Sequence, residues 1–244
     1  TFSENTFTNS LLNRGTHLVT ISLDGALDVV VEIFVVNDYV DFLTDRTDGT
    51  NKAYSTGIVP TVQPNTIETW IYVPSGIEGN LIGYVTGNGA GGSGAETVAL
   101  VVYGHGAVAY FWRGTTYPSV GSTGSGAVPS VPELSIPKDT WTHVAVVRDK
   151  DDKVIRFYFN GELIYTTAPA NGIGIDQNAS LTGGNKEFGI GKDGRTASDR
   201  RLPAYLATVA VFDEERTQEQ IQQGMKDALN GNWANESGRW IWVD

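Results

Sequence analysis

Apolar runs bounded by polar turns recur along the chain, and the stretch from Trp141 to Thr167 organises the rest. It reads Trp-Thr-His-Val-Ala-Val-Val-Arg, a charged turn over Asp149 to Lys153, then Val-Ile-Arg-Phe-Tyr-Phe, Asn160-Gly161 and Glu-Leu-Ile-Tyr. Asn-Gly between apolar runs predicts a type I′ hairpin, because both central residues of that turn need positive φ. With Phe159 and Glu162 flanking the turn, Ile155, Phe157 and Phe159 share one face, and Arg156 and Tyr158 the other. Three antiparallel strands are predicted here.

Similar runs mark further strands. Upstream, Leu18 to Leu23, Leu27 to Val36 and Tyr39 to Leu43 predict outer strands of a sandwich, with a turn at Asp24-Gly25. Thr66 to Val73 places Ile67, Thr69 and Ile71 on one side and Glu68, Trp70 and Tyr72 on the other. Leu81 to Val85 follows, then a glycine-rich loop over residues 87–94. Thr97 to Tyr103 and Ala107 to Trp112 form a hairpin around Gly104-His105-Gly106. Residues 114–137 are rich in Gly, Ser, Thr and Pro and predict a long irregular loop with little to bury beyond Tyr117; residues 168–186 predict a second. Thr217-Gln-Glu-Gln220 has the capping-box pattern, and Ile221, Met225 and Leu229 follow at helical spacing, so one helix is expected, with Gly231 at its stop. Arg239 to Val243 reads as a final strand with Trp240 and Trp242 on one face, paired with an outer strand near the N-terminus. Residues 1–17 are polar and predict an extended arm, leaving 18–244 as a single domain.

Composition narrows the function. A formal charge of -11, with only 17 basic residues, excludes nucleic acid as the expected partner, because phosphate binding needs clustered Lys and Arg. No apolar run approaches the roughly 20 residues that span a bilayer, so membrane insertion is not expected. With no cysteine, neither disulfides nor thiolate metal sites are available.

Several stretches, taken together and in order, resemble the laminin-G-like, concanavalin A-like jelly roll over roughly residues 30 to 225. They are Asn37-Asp-Tyr-Val-Asp41, Thr66-Ile-Glu-Thr-Trp70-Ile, the Trp141-x-His143-Val-Ala-Val strand with its Phe-Tyr-x-Asn-Gly hairpin, Phe188-Gly-Ile-Gly191, and Leu206 to Phe212 running into Asp213 to Ile221. The resemblance implies an all-β fold: a two-sheet antiparallel jelly-roll sandwich with one short C-terminal helix. It also implies a structural, hydrogen-bonding role for His143.

Candidate chemistry is sparse. Hydrolytic relatives of the fold carry three carboxylates on one strand as Glu-x-Asp-x-(x)-Glu, one a nucleophile and one an acid/base. No strand here has that pattern. Asp213-Glu-Glu215 and Asp149 to Asp152 read as solvated charge, and Lys192 to Arg201 as a salt-bridged surface turn that could alternatively touch a ligand. None of the three histidines, His17, His105 and His143, lies in a nucleophile motif or at zinc spacing. The resemblance implies a Ca²⁺ ligand just before the closing strand, but the sequence there is Leu206-Ala-Thr-Val209. Asp38, Asp41 and the Asp45 to Asp48 loop remain as oxygen donors without a selecting spacing, so calcium stays open as a cofactor.

Sugar binding needs flat aromatic surface with hydrogen-bonding groups beside it. Tyr110 and Trp112 share one face of their strand, Arg113 follows, and Tyr117 and His105 lie in adjoining loops, which makes these five the candidate ligand-binding residues; the plainer alternative puts Tyr110 and Trp112 in the core. The expected function is a non-catalytic module recognising a glycan or cell-surface ligand, within a bacterial surface protein or a phage adhesion or decoration protein. Its location would then be extracellular, on a cell surface or on a virion. The alternative is a structural or assembly protein whose arm and tail contact neighbouring subunits, and a third reading is a glycosidase with carboxylates from separate loops.

Overall fold

The computed structural model describes residues 15–21, 28–36, 40–41, 54–55, 65–76, 82–88, 98–103, 105–112, 115–117, 131–169, 175, 189–191, 202, 204–230 and 239–242. The Asp45 to Asp48 loop, Arg113 and the Lys192 to Arg201 loop lie outside the described residues.

Two antiparallel sheets face each other. A seven-stranded sheet has the order β12 (Glu162–Thr166), β11 (Val154–Phe159), β10 (Trp141–Asp149), β5 (Thr66–Tyr72), β14 (Tyr205–Phe212), β15 (Arg239–Trp242), with β3 (Val40–Asp41) also on β14. A six-stranded sheet has the order β4 (Tyr54–Ser55), β13 (Gly189–Ile190), β6 (Ile82–Asn88), β7 (Val98–Tyr103), β8 (Val108–Trp112), β9 (Thr115–Tyr117). Alternation decides what lies between them. Ile67, Ile71, Val144, Val146, Ile155, Phe157 and Val209 point inward from the first sheet and meet Leu100, Val102, Val108, Tyr110 and Trp112 from the second. Each such side chain contributes about 1.5–3 kcal/mol by leaving water.

The Asn160-Gly161 turn forms as its residues dictate, with φ of 49° and 79°, and Phe159 pairs with Glu162 across it. Helix α1 (Gln218–Asn230) lies on the outer face of the seven-stranded sheet and starts in a reciprocal capping box: the Thr217 N–H donates to Gln220 Oε1 at 2.8 Å, and the Gln220 N–H to Thr217 Oγ1 at 3.3 Å. Ile221, Met225 and Leu229 are buried, and the helix ends one residue before Gly231. Gly224 sits where a Cβ would come within 2.8 Å of Arg216 Nη1, so a larger residue would displace that guanidinium.

Three expectations need correction. The strands β1 (Gly15–Ile21) and β2 (Val29–Val35) are not outer strands of the sandwich but a separate two-stranded sheet. The second edge of β14 is occupied by β3 and β15. The hairpin instead leans on α1 and β5 through a Thr16 N–H to Asn230 Oδ1 bond of 3.0 Å, a Lys226–Glu32 ion pair of 2.9 Å, and Phe34 against Trp70 at 5.6 Å. The tail strand β15 pairs with β14, Trp240 opposite Ala210 and Trp242 opposite Thr208, and not with a strand near the N-terminus. Finally, the stretch 114–137 is not wholly irregular. Its start forms β9, and near its end a 3₁₀ turn over Pro132–Leu134 buries Leu134, with Ile136 also in the core.

Candidate functional site

The sequence-predicted residues do not converge on one surface. Tyr110 and Trp112 stack on each other at 6.4 Å and 9°, but between the sheets, where they are 1% and 0% exposed. The alternation that puts them on one face of β8 puts them on the inner one, so neither ring is open to a sugar. Tyr117 belongs to the edge strand β9 and not to a loop, and its backbone stands opposite Tyr110. His105 is half-buried in the β7–β8 turn, its ring 5.7 Å from that of Tyr103, at the far end of β8 from Trp112.

Trp112 instead serves a buried cation. The Arg148 guanidinium lies 4.0 Å from the Trp112 ring, donates through Nη1 to the Ile175 carbonyl at 2.8 Å and through Nη2 to Asn65 Oδ1, and is fully buried. Burial pulls the pKa of Arg148 down and pushes the Tyr110 phenol well above its ordinary range. Both effects express a dry interior that holds Arg148 inside the sandwich as a packing element.

On the outer face of the same sheet a second buried network lies beneath α1. Glu68 Oε1 is 3.1 Å from Arg216 Nη1, and Glu68 Oε2 is 3.4 Å from His143 Nε2, with Glu68 and His143 each 1% exposed. Arg216 also donates through Nη2 to the Gln220 carbonyl at 2.6 Å and stacks on Phe212 at 4.1 Å. The indole N–H of Trp70 donates to the Met225 carbonyl at 3.1 Å. These contacts tie the helix to the sheet and leave Glu68 no access to a substrate.

One row further along, the outer face carries three rings. Trp141, Tyr72 and Tyr205 are directly opposed on β10, β5 and β14, and Asp41 of β3 follows Tyr205 in register. Their rings lie 5.7 Å apart at 55° and 5.5 Å apart at 30°, and all three are half-buried. The neighbouring outward row, His143, Trp70 and Thr208, is fully buried, with Trp70 packed beneath α1, whereas these three rings are half-buried, Trp141 packing against the edge of the same cluster.

Asp139 borders the row. It adopts φ of 57°, donates its N–H to the Val73 carbonyl at 3.0 Å, and accepts at Oδ1 from the Ser75 N–H at 2.9 Å and the Tyr72 hydroxyl at 3.3 Å. The hydrogen bonds from Ser75, then that from Tyr72, hold the exposed Asp139 carboxyl below the usual carboxylate range. A cross-strand aromatic strip with a fixed, ionised carboxylate beside it combines apolar ring surface with a hydrogen-bond acceptor. Sequence reading misses it: alternation puts Tyr72 on one face with Glu68 and Trp70, but its meeting with Trp141 and Tyr205 depends on the register of three strands far apart in the chain.

The family model for the concanavalin A-like lectin/glucanases superfamily matches residues 45–222. The chain belongs to this superfamily. No curated protein matches the sequence. Among solved structures the concanavalin A-like chain is similar to a candidate carbohydrate-binding protein from Bacteroides ovatus, at 15% identity and a TM-score of 0.49, covering 88% of this chain and 57% of that one. It is also similar to the CBM40 of the Ruminococcus gnavus IT-sialidase bound to α2,3-sialyllactose, at 20% identity and a TM-score of 0.46, covering 67% of this chain and 83% of that one. A heptameric SAP-like pentraxin from Limulus polyphemus aligns at 15% identity and a TM-score of 0.47, covering 79% and 85%. The ligands of those proteins are their own.

Leu206 and Val209, at the place where the family resemblance implies a calcium ligand, lie within β14 and point into the core, and Ala207 and Thr208 carry no carboxylate. No group of three or more His, Cys, Asp or Glu able to hold a metal occurs among the described residues. No described helix is long and apolar enough to cross a membrane.

Proposed function

We propose that this chain is a non-catalytic glycan-binding module, with the Trp141–Tyr72–Tyr205 strip as its sugar platform and Asp139 as a hydrogen-bond acceptor for sugar hydroxyls. The cross-strand row carries this reading, because it sets three amphipathic rings side by side beyond the helix that covers the next row. Membership of a superfamily that includes lectins is consistent with it. The non-catalytic part rests on Glu68, the one carboxylate in the centre of a described sandwich strand, being sealed between His143 and Arg216. We place the module outside the cell, on a bacterial surface or a phage particle, as part of an adhesion or decoration protein.

A glycan array with neutral and acidic polysaccharides, in calcium and in chelator, tests the reading. Binding is expected, and Tyr205→Ala should weaken it about two- to tenfold, the equivalent of roughly 0.5–1.5 kcal/mol of aromatic contact. Asp139→Asn keeps an oxygen for Ser75 and Tyr72 while removing the charge, and should weaken binding with only a small fall in thermal midpoint, since the carboxyl is exposed. Silence across the array, or full binding by Tyr205→Ala, overturns it.

A further inference from the structure

We propose that two copies of this chain pair through the free edge of β2, antiparallel about a two-fold axis through Val31. The hairpin is anomalous for its exposure. Leu18 is 72% exposed, Val30 59%, Val29 55% and Val31 37%, and the apolar residues stand on both of its faces. Natural edge strands are blunted by charged side chains, Pro, bulges or short length. Strand β2 has a single charge, Glu32, and no Pro or bulge: Val-Val-Val-Glu-Ile-Phe-Val pairs with β1 over seven residues without a register shift, and among the described residues no strand lies on its other edge. The sandwich's own edge strand β12, by contrast, contains a bulge at Ile164, opposite Phe157/Tyr158, and opens on Glu162, which accepts hydrogen bonds from Gln218 and Gln222.

A second copy is the occupant because the strand is complementary to itself in one register. Directly opposed residues of an antiparallel pair point to the same face, so the two-fold axis must pass through a residue. Centred on Glu32, the pairing would oppose Glu32 to its copy. Centred on Val30, it would oppose Asp28 to Glu32. Centred on Val29, it would leave most of β2 unpaired, and centred on Ile33 it would run into Val35, which is 3% exposed against the body of the protein. Centred on Val31, it opposes Val31 to Val31, Val29 to Ile33 and Val30 to Glu32, with no like charges facing. Cross-strand β-branched pairs of this kind are favourable. Glu32 is paired with Lys226 of its own chain at 2.9 Å, so Val30 meets a compensated carboxylate in this register. One strand edge covers less than the roughly 1,000 Å² of a stable interface, so the dimer is weak and concentration-dependent.

The absence of cysteine allows a register test on the full chain. Opposed Cα atoms of an antiparallel pair lie about 4.5–5.5 Å apart, within disulfide range. Under mild oxidation, Val31→Cys should form a covalent dimer at least about tenfold faster than Val29→Cys at equal concentration, because only Val31 meets its own copy. Mixing Val29→Cys with Ile33→Cys chains should give the heterodimer in preference to either homodimer. Sedimentation velocity of the unmodified chain should show concentration-dependent dimers that Val31→Lys abolishes, while its circular dichroism is unchanged. Equal cross-linking at Val29 and Val31, or a wild-type chain that stays monomeric up to millimolar concentration, overturns the proposal.

Discussion

Arg148 and Arg216 are both buried guanidiniums lying on an aromatic ring, 4.0 Å from Trp112 and 4.1 Å from Phe212. Their electrostatic solutions differ. Arg216, under the helix, faces the buried carboxylate of Glu68, so the outer layer is joined by an ion pair whose members each depend on the other. Arg148, inside the sandwich, is held by neutral oxygens of Asn65 and Ile175, one of them a main-chain carbonyl that no substitution removes. The helix dock is therefore the more breakable layer: neutralising one member strands a charge in a dry place, which costs more than losing a neutral contact.

The sharpest way to break that contrast is at Glu68. Glu68→Gln or Arg216→Met should each destabilise the protein by about 3–5 kcal/mol in urea titrations, because an uncompensated buried charge remains. Combining the two should recover part of the loss, since the neutral pair leaves no stranded charge. Simple additivity would show that the two groups do not act as a pair. Inside the sandwich, Arg148→Met should cost less, about 1–3 kcal/mol, for leaving Asn65 Oδ1 and the Ile175 carbonyl without this donor. A loss larger than that of Glu68→Gln would reverse the ranking.

Much of this frame is readable from sequence, and the parts that are not share a cause. Asn160-Gly161, the alternation in β5 and the Thr217–Gln220 capping box are local signals, and each forms as expected. The two-sheet jelly roll follows from the order of those motifs. What pairs with what does not follow locally. Strand β2 looks like any apolar strand, and only the occupation of β14 by β3 and β15 places it outside the sandwich. Tyr110 and Trp112 have the spacing of a binding strip, and only the position of the second sheet makes that face internal. The half-buried strip, Trp141–Tyr72–Tyr205, joins residues far apart in the chain, with Tyr205 one position before the strand predicted to begin at Leu206.

A third arginine completes the series at the surface and should give the smallest effect. Arg156 pairs through Nη1 with Asp149 and through Nη2 with Asp152, the latter at 2.6 Å. Partial burial alone would raise the pKa of Asp149, but the Arg156 hydrogen bond, followed by the backbone N–H of Asp152 and the Arg156 charge, outweighs it and holds the group below the usual carboxylate range. The folded state thus binds fewer protons than the unfolded state just below the ordinary carboxylate pKa of about 3.9. The stabilisation from this pair is fully present above that value and is lost as pH falls through the lowered folded-state pKa. Arg156→Gln should therefore remove part of the acid-side loss in urea midpoint between neutral and strongly acidic pH, while costing about 1 kcal/mol or less at neutral pH. An unchanged acid profile in Arg156→Gln would mean that Asp149 owes its ionisation to the backbone N–H groups of Asp152 and Asp151, and the series would reduce to its two buried members.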